Sequence, residues 1–207
     1  MTTAAPTAGR FPLGRPARLA VLASGRGSNL QALLTAFPPG HELASVVLVV
    51  SNKAGAQALE RARAAGVAAH HVAWPDRATF EAALGELLRE AEVDLVCLAG
   101  FMRLLSPAFT VAWAGRLLNV HPSLLPAFPG LDAHGQALRA GVAETGCTVH
   151  MVDEGVDTGP VVLQRRVKVV EGDDAASLAA RVLAAEHVAY PEAVRLVLRG
   201  EWDGGRA

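Results

Sequence analysis

The sequence predicts an α/β protein with a single domain: a mostly parallel twisted sheet carries helices on both faces and gains an antiparallel portion in the C-terminal half. The first observation is that short apolar runs alternate with segments of helical periodicity as far as residue 120. The second is that these runs are nearly continuous, as strands buried on both faces are. The third is a change after residue 126, where two strand-like runs follow one another without a long helix between them. The arrangement is Rossmann-like.

The first half contains the parallel units. Strands are expected at 19–23, 43–50, 68–72, 95–98 and 117–120, and helices at 28–35, 54–65 and 77–90. The helix over 77–90 places Phe80, Leu84 and Leu88 on one side, and Gly66 ends the helix before it. The second half starts with a short helix at 133–140. Strands follow at 148–152 and 161–170, and a last helix begins after the cap residue Asp174, is interrupted at Pro191 and ends at Gly200.

The composition of the chain is typical of a globular protein that binds neither nucleic acid nor a membrane. With 207 residues and 51% apolar residues, the chain can bury a core of its own, and a domain over 17–207 is expected. The net charge of −1 gives no electrostatic footprint for nucleic acid, and no apolar run approaches the length of a membrane span. Cys97 and Cys147 lie in apolar runs without Cys-x-x-Cys spacing and indicate buried free thiols of a reducing compartment.

Residues 1–16 are expected to form a disordered N-terminal extension. They contain three prolines, two glycines and two arginines but no acidic residue. An organelle transit peptide would share the basic, acid-poor composition. The prolines and glycines oppose the amphipathic helix that a transit peptide needs, so the extension is the favoured interpretation.

A glycine-containing turn at 25–29 lies between the first strand and the first helix. Small residues allow a phosphate to approach the backbone, and the free N–H groups of the helix start favour its charge. The alternative is a plain helix cap, because Ser28 and Gln31 match a capping box. A dinucleotide site is opposed by Leu30, which replaces the third glycine, and by the absence of an acid at 51–53. A monophosphate site is the better interpretation.

Asn119 and His121 are two positions apart on a predicted strand and therefore share one face, next to the strand end that Pro122 imposes. The carboxamide can donate to an oxyanion, and the imidazole can carry a proton at neutral pH. No activated nucleophile accompanies them, because Ser123 lacks the Gly-x-Ser-x-Gly surroundings of a nucleophile elbow. The pattern indicates direct transfer between two bound substrates. Asp157, considered alone in its turn-rich loop, is more typical of an Asx-turn.

Four motifs occur in series: 24–30 (Ser-Gly-Arg-Gly-Ser-Asn-Leu), 99–103 (Ala-Gly-Phe-Met-Arg), 119–126 (Asn-Val-His-Pro-Ser-Leu-Leu-Pro) and the segment 153–159. With them the chain resembles the glycinamide ribonucleotide formyltransferases, within the family of 10-formyltetrahydrofolate-dependent enzymes. The resemblance runs from about residue 18 to residue 200. Any one motif is weakly specific, but four in order are strongly so.

The resemblance implies roles for particular residues. Gly27, Ser28 and Asn29 would hold the phosphate of glycinamide ribonucleotide, and Glu186 would contact its ribose. Asn119 and a protonated His121 would stabilise the oxyanion, while Asp157 would favour the charged imidazole and assist proton movement. The positions that match folate contacts are Arg77, Met102, Arg103, Leu104, Leu105, Asn119, Asp153, Glu154, Gly155, Val156 and Asp157. From the residues alone, 102–105 could equally be ordinary core with a surface arginine.

The expected activity is formyl transfer from 10-formyltetrahydrofolate, as co-substrate, to the amino group of glycinamide ribonucleotide in cytoplasmic purine synthesis. Small-molecule substrates, no metal, no nucleic-acid or membrane partner, and a monomer or homodimer are expected. The alternatives are a hydrolase or a tRNA formyltransferase using the same donor, whose extra domains 207 residues would not accommodate, and a non-catalytic nucleotide-binding module. Asp132 stands where many relatives carry histidine, and His134 and His150 are expected to be structural.

Overall fold

The computed structural model describes residues 11–202 and residue 204. Seven strands form one sheet in this part of the chain. They are β1 (Ala17–Leu22), β2 (Ala44–Ser51), β3 (Ala68–His71), β4 (Leu95–Leu98), β5 (Leu117–His121), β6 (Glu144–Met151) and β7 (Val161–Lys168). Their order is β3-β2-β1-β4-β5-β6-β7; the first five are parallel, and β6 and β7 pair antiparallel. The predicted fold class is confirmed.

Six helices accompany the sheet among the described residues. They are α1 (Ser28–Ala36), α2 (Gln57–Ala64), α3 (Arg77–Glu90), α4 (Pro107–Ala112), α5 (Ala133–Arg139) and α6 (Ala175–Leu198). The bounds of α3 agree with the prediction, and Asp76 caps its start by accepting the Thr79 N–H at 2.8 Å. The predicted interruption of the last helix is wrong. α6 runs through Pro191, since the packing of its buried face outweighs the loss of one backbone donor.

The sheet separates two hydrophobic cores. Alternate residues of β1 point to opposite faces, so Leu19 and Val21 join one core and Ala20 and Leu22 the other. The first core is covered chiefly by α1, α2 and α6, and the second by α3 and α4. Helices on both faces explain why the parallel strands are almost continuously apolar.

The carboxyl ends of β1, β4 and β5 lie side by side at one edge of the sheet. The chain connects β1 to β2 on one side and later returns to β4 on the other, so the strand order reverses between β1 and β4. Ligands of open α/β sheets bind at this kind of topological switch point. The buried hydroxyl of Tyr190 on α6 lies 3.0 Å from the Leu98 carbonyl and 3.1 Å from the Leu118 carbonyl, and it donates its proton to them. This contact holds α6 against β4 and β5 directly beneath that edge.

Residues 1–10 of the predicted N-terminal extension lie outside the described residues. Residues 11–16 do not behave as a detached extension. Phe11 and Leu13 pack against the first core, and Arg15 makes two hydrogen bonds of 2.7 and 2.8 Å with the Asp94 carboxylate. Two apolar side chains and one arginine of this stretch therefore make contacts with the domain.

Cys97 and Cys147 are buried free thiols, as predicted. Burial raises the pKa of each thiol to about 12, so both stay protonated at neutral pH. Within the described residues, none of the helices combines the length and the apolar character that spanning a membrane demands.

Candidate active site

Asn119 and His121 lie on β5 at the carboxyl edge of the sheet, where Pro122 ends the strand as predicted. Both side chains line the same cleft, in agreement with their spacing of two. The His121 ring is 5% exposed, so it is shielded from bulk water. The two polar groups therefore face a common cleft.

Asp157 lies opposite His121 on the loop between β6 and β7. Its Oδ2 is 3.2 Å from Nδ1 of His121 and accepts the Gly130 N–H at 2.8 Å. Its backbone is in the left-handed region with φ of 56°, which Asp tolerates better than most residues. Burial alone would raise the pKa of Asp157, but the nearby His150 ring, the hydrogen bond from the Gly130 N–H and proximity to His121 hold it below its usual range. The carboxylate is thus ionised beside the imidazole.

The Asx-turn that Asp157 could have formed is made by Asp153. The Asp153 Oδ1 accepts the Gly155 N–H at 3.0 Å and the Thr158 hydroxyl at 2.7 Å. Asp153 therefore shapes the loop, and the side chain of Asp157 is left to face the histidines.

His150 belongs to this cluster, which the expectation of a purely structural histidine did not anticipate. Its Nε2 lies 3.2 Å from Asn119 Nδ2 and 3.6 Å from Asp157 Oδ1, while its Nδ1 lies 2.9 Å from the Met151 carbonyl. With Nδ1–H donated to that carbonyl, Nε2 is left to accept a hydrogen bond from the Asn119 carboxamide. The pairing of Asn119 opposite His150 in the β5–β6 ladder brings the two together.

The second ring nitrogen of His121 is also engaged. Its Nε2 lies 2.9 Å from the carbonyl oxygen of Phe128, on the loop that follows β5. A buried hydroxyl supports this loop: Thr148 Oγ1 donates to the Ser123 carbonyl at 2.7 Å and accepts the Leu125 N–H at 3.0 Å. His121 is consequently held between a carboxylate and a carbonyl, an environment that suits a ring carrying two N–H donors.

The cleft in front of this cluster has a volume of about 710 Å³. All the positions predicted to contact folate line it: Arg77, Met102, Arg103, Leu104, Leu105, Asn119, Asp153, Glu154, Gly155, Val156 and Asp157. The sequence pattern left open whether 102–105 was core. Met102 and Leu104 are 64% and 59% exposed, so both are available to a ligand. An apolar slot with a few convergent polar groups fits a flat aromatic ligand.

Two arginines, Arg77 and Arg103, line the cleft. Arg103 stacks over the Trp74 ring with its guanidinium carbon 5.3 Å from the ring centroid, and Arg77 is the first residue of α3. Trp74 in turn packs on Phe80 and Phe101 of the second core. The second core thus holds the Trp74 ring in place, and the ring in turn positions the guanidinium of Arg103.

The predicted phosphate turn forms a separate cluster at the start of α1. Gly27 precedes the helix with φ of 71°, and a Cβ there would come within 2.8 Å of the Ala58 Cα on α2. The predicted Ser28–Gln31 capping box is not formed, because Ser28 is already the first helical residue and Gln31 instead accepts from Arg61. The first N–H groups of α1 thus have no side-chain cap, as an anion site requires.

Beneath this turn, Asn29 and Glu186 are paired. The Asn29 Nδ2 donates to Glu186 Oε2 at 2.6 Å, and both side chains are more than nine-tenths buried. Burial raises the pKa of Glu186 to about 7, although the Asn29 hydrogen bond opposes the shift. The Asn29 Oδ1 is buried without a hydrogen-bond partner among the described residues. The pair therefore offers an acceptor to a ligand that carries hydroxyl groups.

Asp132 directly precedes α5 and lines the cleft. Its carboxylate lies 2.9 Å from Arg139 Nη2, which lowers its pKa and balances its charge. The expected acidic character of the pocket is thereby reduced. Nearby, burial lowers the pKa of His134, and its buried Nε2 makes no hydrogen bond within the part of the chain that the structure describes. That part also contains no group of three His, Cys, Asp or Glu side chains suited to a metal ion.

The fold and the site together define an α/β enzyme with a substrate cleft at the carboxyl edge of its sheet. A family model described as formyl transferase matches residues 17–194, and the chain belongs to this family. It is 44% identical to phosphoribosylglycinamide formyltransferase from Bacillus subtilis over 89% of this chain and 98% of that protein. It is 49% identical to the Escherichia coli protein of the same name over 84% of this chain and 83% of that one.

Larger proteins and solved structures agree with this assignment. The chain is 50% identical to the trifunctional purine biosynthetic protein adenosine-3 of Drosophila pseudoobscura pseudoobscura over 88% of its own length, but it spans only 14% of that protein. The crystal structure of glycinamide ribonucleotide transformylase 1 from Symbiobacterium toebii superposes with a TM-score of 0.86 at 50% identity, covering 94% of each chain.

Proposed function

We propose that the chain transfers the formyl group of 10-formyltetrahydrofolate to the amino group of glycinamide ribonucleotide, in de novo purine biosynthesis in the cytoplasm. The observation that carries this proposal is the cluster at the end of β5. Asn119 and the His121–Asp157 pair face a cleft of about 710 Å³. Such a cluster can stabilise an oxyanion and move a proton, and it needs no nucleophile from the protein. The names of the bacterial relatives support the same reaction.

In the proposed mechanism the amino group attacks the formyl carbon directly and forms a tetrahedral intermediate. One N–H of Asn119 is directed to His150, and the other N–H donates to the oxyanion. Protonated His121 donates to the same oxygen, which replaces the Phe128 carbonyl as the partner of Nε2. Asp157 stabilises the imidazolium and helps to move the proton of the attacking amine. The bond to the folate nitrogen then breaks, and that nitrogen takes up a proton.

The acceptor is assigned to the cluster at the start of α1. Backbone N–H groups of Gly27, Ser28 and Asn29 bind its phosphate at the positive end of the helix. Glu186 and the free carbonyl oxygen of Asn29 accept hydrogen bonds from the ribose hydroxyls. A buried carboxyl that interacts with neutral hydroxyls does not need a cation beside it.

The donor is assigned to the cleft. The pteridine lies between Met102–Leu105 and the loop 153–157, with Asn119 at its reactive end, while Arg77 and Arg103 face the anionic tail at the mouth. No metal takes part in this chemistry. The protein acts on small molecules, without a nucleic-acid or membrane partner, as a monomer or homodimer.

A formyl-transfer assay with each substrate omitted in turn tests the proposal. Consumption of 10-formyltetrahydrofolate should require glycinamide ribonucleotide, and Asn119→Ala should lower kcat about 10²- to 10³-fold, the usual cost of one oxyanion donor. Consumption without the acceptor would indicate a hydrolase. Binding of the nucleotide without turnover would indicate a non-catalytic module, and transfer to methionyl-tRNA would indicate a tRNA formyltransferase.

A further inference from the structure

Ser24 is a buried serine just beyond β1, immediately before the phosphate turn, and its side chain is 3% exposed. Its hydroxyl donates to Asn52 Oδ1 at 2.6 Å and accepts the Met102 N–H at 2.9 Å. Its own backbone N–H donates to the Gly100 carbonyl at 3.0 Å. One residue therefore connects the loops that follow three neighbouring strands, β2, β1 and β4.

The connection to β4 concerns the wall of the cleft. Residues 100–105 have no helix or strand of their own and line most of one side of it. Two hydrogen bonds to Ser24 tie this segment to the start of the phosphate turn. Phe101 packs into the second core, but apolar packing fixes position less sharply than a directed hydrogen bond.

Ser24 is connected to the phosphate turn by the chain itself, because the turn begins at the next residue. Two hydrogen bonds fix the turn to α2: the Gly25 carbonyl accepts the Ala58 N–H at 3.1 Å, and the Arg26 carbonyl accepts a hydrogen bond from Arg61 Nε at 2.8 Å. Asn52 fixes the rotation of the Ser24 hydroxyl, because it takes the hydroxyl proton and leaves a lone pair for Met102. The turn and the cleft wall are thereby set at a fixed distance from each other.

We propose that Ser24 is a positioning residue, whose hydroxyl aligns the nucleotide-binding turn with the folate-binding segment. This inference rests on the proposed function, since direct transfer requires two separately bound substrates to meet at bonding distance. A small misplacement between bound reactants lowers the rate even when each is bound well. Loss of the hydroxyl should therefore reduce turnover more than it reduces the affinity for either substrate.

The test compares Ser24→Ala with Ser51→Ala in the full chain, below the melting temperature of each. Ser51 is a matched control, because it is buried at the end of β2 and its hydroxyl accepts only the Lys53 N–H among the described residues, at 3.1 Å. Ser24→Ala should lower kcat about tenfold while the Kd of each substrate, measured by calorimetry, changes less than about threefold. Ser51→Ala should leave kcat unchanged, and Ser24→Thr, which keeps the hydroxyl, should restore most of the activity.

Asn52→Ala provides a second route if Ser24→Ala does not fold. It should lower kcat less than Ser24→Ala, and the double variant should be no worse than Ser24→Ala alone. A normal kcat in Ser24→Ala, or an equal loss in Ser51→Ala, would overturn the inference. Formyl transfer by the wild-type protein distinguishes the proposed function from the positioning role of Ser24. If the wild type does not transfer the formyl group, the proposed function is contradicted. If the wild type and Ser24→Ala are equally active, only the positioning role is contradicted.

Discussion

The Asp157 carboxylate touches His121 through the same oxygen, Oδ2, that accepts the Gly130 N–H, and the distance to Nδ1 of His121 is 3.2 Å. The lowered pKa of Asp157 keeps it ionised down to acidic pH, so the negative charge beside the ring is present throughout the neutral range. The backbone of the loop after β5 thus fixes the carboxylate, and the carboxylate fixes the ring.

Asp157→Asn should lower kcat by about 10² or more, because the amide keeps the shape of the side chain but removes the charge that stabilises an imidazolium. The double variant His121→Ala/Asp157→Asn should be scarcely slower than His121→Ala. Steady-state kinetics of the four proteins measure this cycle. Additive losses would mean that Asp157 acts independently of the histidine, for example by placing a water molecule.

Gly27→Ala should weaken nucleotide binding and lower the stability by about 1–3 kcal/mol, since the new Cβ meets Ala58 and φ is positive. Gly40→Ala is the matched control, because it has φ of 81° but open space around the Cβ position. It should show only the backbone cost and bind both substrates normally. Calorimetric titration with each substrate measures the two affinities separately. Equal weakening of nucleotide binding and folate binding by Gly27→Ala would point to a general loss of structure.

Glu186 should make the protein less stable as the pH rises from about 4.5 to 7. The carboxyl ionises near its ordinary value of 4.5 when unfolded but near 7 when folded, so only the folded chain holds the proton in this range. The contribution to the free energy of unfolding therefore falls with pH, by at most about 3 kcal/mol. In urea unfolding at pH 5 and pH 7.5, the free energy of unfolding of Glu186→Gln relative to that of the wild type should be higher at pH 7.5 than at pH 5. Glu60→Gln, on an exposed position of α2, is the control, and a pH-independent difference for Glu186→Gln would contradict the assignment.

Removal of residues 1–16 should lower the melting temperature. Phe11 and Leu13 cover part of the first core, and losing them should cost about 1–2 kcal/mol, or roughly 3–6 °C for a domain of this size. Arg15→Ala should have a smaller effect, because about half of its side chain is exposed and solvent weakens its ion pair with Asp94. An unchanged melting temperature after the truncation would show that these contacts contribute nothing to stability.

Local signals were sufficient for most of the fold. α3 is predicted to the residue because its apolar periodicity is clear, and β4 is predicted because its four residues are continuously apolar and buried on both sides. α4 was missed because six residues are too few for a periodic pattern, although Ser106 and Pro107 mark its start. The first half of β6, which includes Thr145 and Gly146, was missed because small and polar residues obscure the strand signal there.

In the candidate site, too, some residues could be predicted from the sequence and others could not. Asn119, His121 and their strand end follow from spacing along the chain, and the resemblance supplied Asp157. The place of His150 could not be read in this way, because it depends on the register that sets Asn119 opposite His150 across two antiparallel strands. Burial of the Asn29–Glu186 pair depends likewise on a contact between residues 157 positions apart.

The fate of the formyl carbon tests the central claim most directly. A single turnover with 10-formyltetrahydrofolate labelled in the formyl group, excess protein and saturating glycinamide ribonucleotide should place all of the label on the nucleotide amine. Acid-quenched samples taken through the reaction should carry no label on the protein, and without the acceptor no labelled formate should appear. Label bound covalently to the protein, or formate released in the absence of acceptor, would contradict direct transfer between two bound substrates.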